Sequence, residues 1–139
     1  MRFFNNSSIN RIYLHSALRG FSEYSGGAFV FVFLVKAGIA LPFVFLSIAA
    51  IVLLRLLFRL MVMPFARRFG IRSTLIMGIA IGALAFIPIG FVHDLGPMLA
   101  LFILLLAMGD AFYWCCYHAT SAKLGDAEAR GAHVSVVQM

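Results

Sequence analysis

Glu23, Arg55 and Asp110 sit in three separate apolar stretches of this chain. An ionised side chain in the middle of a bilayer costs a few kcal/mol on insertion scales, so such groups face protein or a water-filled cavity. Each has neighbours that could complete it. Arg19 and Glu23 are four residues apart and can pair along one helix face. Arg55 and Arg59 share that spacing but carry like charge, so an acidic partner is expected, with Glu23 and Asp110 as candidates. Asp110 opens the stretch "GDAFYWCCYHATS", in which Asp110, Trp114, Tyr117 and Ser121 fall on one helix face with Tyr113 beside them. Two uses fit these residue types: a structural network of ion pairs, and a pathway for a solute or a proton. Arginines and carboxylates favour a polar or charged solute, whereas Tyr113, Trp114 and Tyr117 would suit a cationic or drug-like one. The sequence leaves the choice open.

Other chemistries lack their residues. Cys115, Cys116 and His118 could be metal ligands by type, but adjacent helical cysteines diverge and no outlying ligand completes a tetrahedron. The same divergence implies no disulfide. There is no Gly-x-Ser-x-Gly, no His-Glu-x-x-His and no phosphate-binding glycine loop. We therefore expect no enzyme activity, no cofactor and no metal.

The elements that must hold these residues follow from composition. Of 139 residues 63% are apolar and only 12% charged, where soluble domains carry about a quarter. A soluble chain of this size could not hide so much apolar surface in one core. The formal charge of +6 does not point to nucleic acid, because the basic residues lie between and at the ends of apolar runs rather than on one amphipathic element. Four stretches are long enough to cross a bilayer, a crossing that takes about 20 helical residues. We place them near 14–36, 41–63, 73–92 and 97–119, with 1–13 as a polar tail, 14–130 as the transmembrane region and 131–139 as the start of a fifth helix. Short links force neighbouring helices to run antiparallel. At about 1.5 Å rise per residue, Glu23, Arg55 and Asp110 each fall within roughly 6 Å of their helix midpoints, on the same side.

"FARRFGIRS", residues 65–73, reads as the basic loop between the second and third stretches. Arg2, Arg11, Arg67, Arg68, Arg72, Lys123 and Arg130 all fall on the side of that loop, against Lys36 alone opposite. Such a bias places the basic side in the cytoplasm. We thus expect an integral protein of a bacterial inner (plasma) membrane with a cytoplasmic amino terminus. On the first stretch, His15, Arg19, Ser22, Glu23 and Gly26 recur on one face. On the third, Gly78 and Gly82, followed by Ala83 and Gly90, invite close helix approach.

Taken together, "MPFARRFGIRSTLIMG", the polar first and fourth stretches and "AKLGDAEARGAHVSVV" resemble the amino-terminal part of a major facilitator superfamily transporter. Ala66, Arg68, Gly70 and Arg72 match that family's cytosolic loop signature. Met63, Phe65, Arg67 and Ile71 depart from it, Arg67 standing where the family has an acid. Gly109 fits the fourth-helix pattern, but Leu105 occupies its arginine position. The resemblance implies an all-α integral membrane fold, here four antiparallel helices and the start of a fifth from a partial major-facilitator-type bundle of about twelve. It implies alternating access around a midplane site. It also implies a cavity lined by Glu23, Gly26, Arg55, Asp110, Tyr113, Trp114 and Tyr117, and a cytoplasmic gate at Arg68, Gly70 and Arg72. The partners it implies are the bilayer, an unknown small solute, a coupling proton or ion, and the remaining helices, with no nucleic acid. The alternative is a complete four-helix membrane scaffold or subunit with no transport activity.

Overall fold

The computed structural model describes residues 7–124, and every regular element among them is a helix. The elements are α1 (Ser7–Lys36), α2 (Leu41–Phe69), α3 (Ile71–Leu84), the four-residue α4 (Phe86–Ile89) and α5 (Pro97–Leu124). The tail up to residue 6 and the expected fifth helix at 131–139 lie outside the described residues. Among those described, Leu41–Phe69, Ile71–Ile89 and Pro97–Ala122 are long and apolar enough to cross a bilayer. α1 has the length, 30 residues, but Arg19, Ser22, Glu23, Tyr24 and Ser25 dilute the apolarity of its middle.

Turn chemistry sets the helix ends. α1 closes through Ala37 and Ile39 amides donating to Phe33 and Leu34 carbonyls (2.8 and 3.2 Å) around Gly38. Gly38 has φ +87°, a left-handed value that a residue with a Cβ resists. Pro42 then falls in the first turn of α2, where its missing N–H costs nothing.

The basic loop is shorter than its sequence suggests. α2 continues through Pro64 to Phe69, and α3 starts at Ile71, so Arg67, Arg68 and Arg72 are helical and the whole connection is Gly70. A proline ring deprives the carbonyl four residues back of its donor but need not end a long apolar helix whose other bonds persist. Gly70 donates to the Ala66 carbonyl (3.0 Å), and its own carbonyl accepts from the Thr74 amide (3.1 Å) and hydroxyl (2.9 Å). Its φ of +83° and ψ of 153° lie in a region essentially reserved for glycine. Gly70→Ala is expected to lower stability in detergent by about 1–3 kcal/mol through backbone strain alone, since a Cβ there meets open space. Thermal unfolding followed by circular dichroism measures it.

Packing divides into two apolar layers. One, at the α1–α2 turn, gathers Leu34, Ile39, Val44, Val92, Leu99 and Phe102 around Ala85. The other, at the Gly70 end, holds Val62, Ala111, Phe112 and Cys116, with Phe58, Phe65, Ile71 and Leu75 against them. α3 and α5 form the most extensive pair, α2 and α5 the next, and α1 touches the bundle lightly. Gly78, one of the expected pair, and Gly109 make the α3–α5 approach possible, whereas a Cβ on Gly82 would meet only the Arg19 guanidinium of α1 at 3.8 Å. A Cβ on Gly78 would lie 2.6 Å from the Tyr113 nitrogen, and one on Gly109 would lie 2.5 Å from the Gly82 nitrogen. The outer face of α2 presents Phe45, Leu46, Leu53, Leu56 and Leu60, all more than half exposed. So continuous an apolar surface is suited to lipid rather than water.

Arg68 and Asp94 are both exposed and stand at opposite ends of the Ile71–Ile89 stretch. Arg68→Cys and Asp94→Cys are therefore expected to react with an impermeant maleimide from opposite faces of the membrane. Labelling from one shared face would remove the crossing of α3.

Candidate functional site

Between the two apolar layers α1, α2 and α5 bring four charged side chains together. Arg19 donates from Nε to Glu23 Oε1 (2.7 Å) and from Nη2 to Asp110 Oδ1 (2.9 Å). Arg55 Nη2 donates to the other Asp110 oxygen, Oδ2. The result is an alternating chain, Glu23–Arg19–Asp110–Arg55, in which two carboxylates balance two guanidiniums. Of its inner members Asp110 is buried and Arg19 partly buried, with side chains 7% and 16% exposed, while Glu23 and Arg55 at the ends are each 33% exposed. The acidic partner expected for Arg55 is Asp110. Glu23 serves Arg19 instead, because it lies one turn along the same helix.

A cavity of about 730 Å³ opens beside this chain, walled by α1, α2, α3 and α5 and by Phe86 at the start of α4. His15, Arg19, Glu23, Arg55 and Asp110 line one end, and Ile48, Ile51, Phe86 and Phe102 line the other. α1 contributes through the row Arg19, Glu23, Gly27, spaced by four, and α5 through Phe102, Leu106 and Asp110, spaced likewise. These i,i+4 rows run nearly along a helix and so give one side of a cleft.

Glu23, Arg55 and Asp110 thus meet at the cavity. The other four residues expected to line it do not. Gly26 shares a face with Ser22 and Val30, which do line the cavity, but abuts α4 itself, where a Cβ would be 3.9 Å from the Phe86 ring. Tyr113, Trp114 and Tyr117 follow Asp110 by one and two turns and form an aromatic stack below it. The Tyr113 ring, fully buried, stacks with both His15 and Tyr117 at centroid separations of 5.7 Å to each. The Trp114 ring meets Tyr113 edge-on at 5.2 Å and stacks on His118 at 5.7 Å. The Arg19 guanidinium lies 4.6 Å over the Tyr113 ring centroid, and the Tyr113 hydroxyl is 3.2 Å from His15 Nδ1. The tyrosine therefore carries the ion chain from beneath rather than lining the cavity. Arg68, Gly70 and Arg72, the expected gate, are all exposed at the α2–α3 turn, where Arg68 lies over the Phe69 ring at 5.5 Å.

The sequence reading pairs Arg19 only with Glu23, yet Arg19 is the hub of the cluster. The available signal is its place on the His15–Glu23 stripe at the depth of Asp110. Leu105, at the position where a facilitator arginine would stand, packs on the apolar layer containing Phe102. Among the described residues no group of three or more His, Cys, Asp or Glu side chains could hold a metal.

Among the described residues the architecture is all-helical, with three helices suited to a membrane, two of which, α2 and α5, share a chain of balanced charges with α1. Comparison with protein-family models, with curated proteins and with solved structures finds no match.

Proposed function

We propose that this chain is part of a secondary active transporter, in which α1, α2 and α5 wall a hydrated route for a small solute. On this reading α1 is a fourth span, the Gly70 turn faces the cytoplasm, and the bundle works by alternating access against further helices. The observation that carries it is the four-charge chain at the polar end of a cavity large enough for a small organic molecule. Ion pairs alone would have no use for an adjoining void, and a void lined by ionised groups takes up water. The light contact of α1 with the bundle also suits a wall that moves.

The competing reading, a membrane scaffold, draws on the saturation of Arg19 and Asp110, whose charges are fully answered within the protein. Accessibility separates the two. In a Cys115→Ala/Cys116→Ala background, Ile51→Cys and Ile79→Cys, both on the cavity wall, are expected to react in intact membranes with a charged methanethiosulfonate reagent. Leu60→Cys, on the exposed apolar face, stays unreactive, because a thiol in lipid does not ionise. Silence at both cavity positions would favour the scaffold.

A further inference from the structure

We infer that the cavity takes an amphipathic organic anion, its carboxylate received by Arg55 and its apolar body lying along α2 and α5. This deepens the transporter reading above and rests on it. The argument begins with unused bonding capacity. Asp110 spends both oxygens on guanidiniums and Arg19 spends two of its nitrogens on carboxylates. Arg55, by contrast, donates to Asp110 through Nη2, and its Nε is buried with no acceptor among the described residues. An unpaired buried donor is unfavourable until an acceptor reaches it, and a guanidinium presents its donors in a planar fork that fits a carboxylate. Glu23, at the other end of the ion chain, is a third exposed, so water can satisfy its remaining oxygen. The imbalance is a missing acceptor, and an anionic ligand supplies one.

The rest of the cavity sets the ligand's body. Moving away from Arg55 along α2, the wall becomes Val52, Ile51 and Ile48, faced by Phe102 and Leu106 of α5. An apolar group there leaves water for hydrocarbon. A cationic ligand has less support than the sequence suggests. Tyr113, Trp114 and Tyr117, the rings that would stabilise it, lie outside the lining, and the one Tyr113 face near the ions is covered by Arg19.

A water-soluble aryl carboxylate and a membrane-borne fatty acid share this chemistry. The test uses the full chain in phosphatidylcholine nanodiscs, lacking Cys115 and Cys116 and carrying Ile51→Cys as reporter. The rate of maleimide labelling is measured against 3-phenylpropionate, 3-phenylpropan-1-ol, 3-phenylpropylammonium and acetate, and with oleate added to the bilayer. Phenylpropionate or oleate is expected to slow labelling at least tenfold more effectively than the alcohol or the amine, with acetate inert. Which of the two protects identifies the source. In the Arg55→Gln/Asp110→Asn variant, which keeps the cluster neutral, the advantage of the carboxylate is lost, whereas Arg59→Gln, at an exposed position, retains it. Equal protection by alcohol, amine and carboxylate overturns the inference, as does an advantage that survives the paired variant. A reporter that labels but is shielded by none of these compounds also overturns it while leaving the hydrated route standing. A reporter that never labels removes both.

Discussion

Asp110→Asn is expected to be the most damaging conservative substitution in this protein. Asp110 is the only member of the ion chain bonded to both arginines, and its neutralisation leaves two guanidiniums facing Glu23 alone. Removing one partner of a buried ion pair costs about 3–5 kcal/mol, because the charge left behind stays desolvated. The expected result is loss of folded protein from the membrane, or a fall of that order in stability where some folds. Arg55→Gln added to Asp110→Asn restores neutrality and recovers part of the loss, since Arg19 and Glu23 keep their own pair. A double-mutant cycle on detergent-purified protein, read by the fluorescence of Trp114, the single tryptophan, gives the coupling directly. Additive losses would mean that Arg55 and Asp110 do not act as a pair.

The second large effect is expected at the α3–α5 contact, where backbone meets backbone. Gly78→Ala would set a Cβ 2.6 Å from the Tyr113 nitrogen and 3.0 Å from the Gly109 carbonyl oxygen. No side chain can turn aside to relieve this, so the helices must separate. Overpacking of this kind costs roughly 1–3 kcal/mol or more, and parting α3 from α5 would also disturb Tyr113 under the ion chain. Gly109→Ala meets the Gly82 backbone in the same way and is expected to behave alike. Gly82→Ala is the internal control. Its Cβ would meet only the Arg19 guanidinium at 3.8 Å, an ordinary contact, and alanine is the better helix former by about 0.5–1 kcal/mol. Unfolding in mixed micelles should rank Gly78→Ala and Gly109→Ala well below wild type and Gly82→Ala at or above it. Three equal effects would refute a contact specific to Gly78 and Gly109.

Apolar runs, prolines and the glycine pair announced these helices because each acts locally. Run length sets helix length, Pro42 and Pro97 mark helix starts, and a glycine at four-residue spacing marks a close approach. The depth of Glu23, Arg55 and Asp110 was legible for the same reason, since rise per residue is fixed. What the sequence could not give was packing between helices. Gly26 shares a face with Ser22 and Val30, and only the fold decides that those two line the cavity while Gly26 meets the Phe86 ring. The same holds for Tyr113, whose depth beyond Asp110 follows from the rise per residue but whose ring orientation does not. Pro64 misled in the opposite sense. It reads as a stop, but a helix supported by Val62 and Phe65 in the apolar layer near the α2–α3 turn continues through it, so the turn falls at Gly70.

The order of the ion chain along the polypeptide has a consequence for biosynthesis. Glu23 emerges from the ribosome four residues after Arg19, so the first hairpin brings that counter-ion with it to the translocon. Arg55 has no such companion, because its partner is synthesised 55 positions later. During that interval the nascent second helix carries an unanswered guanidinium, and its lateral release into lipid is expected to wait for the segment bearing Asp110.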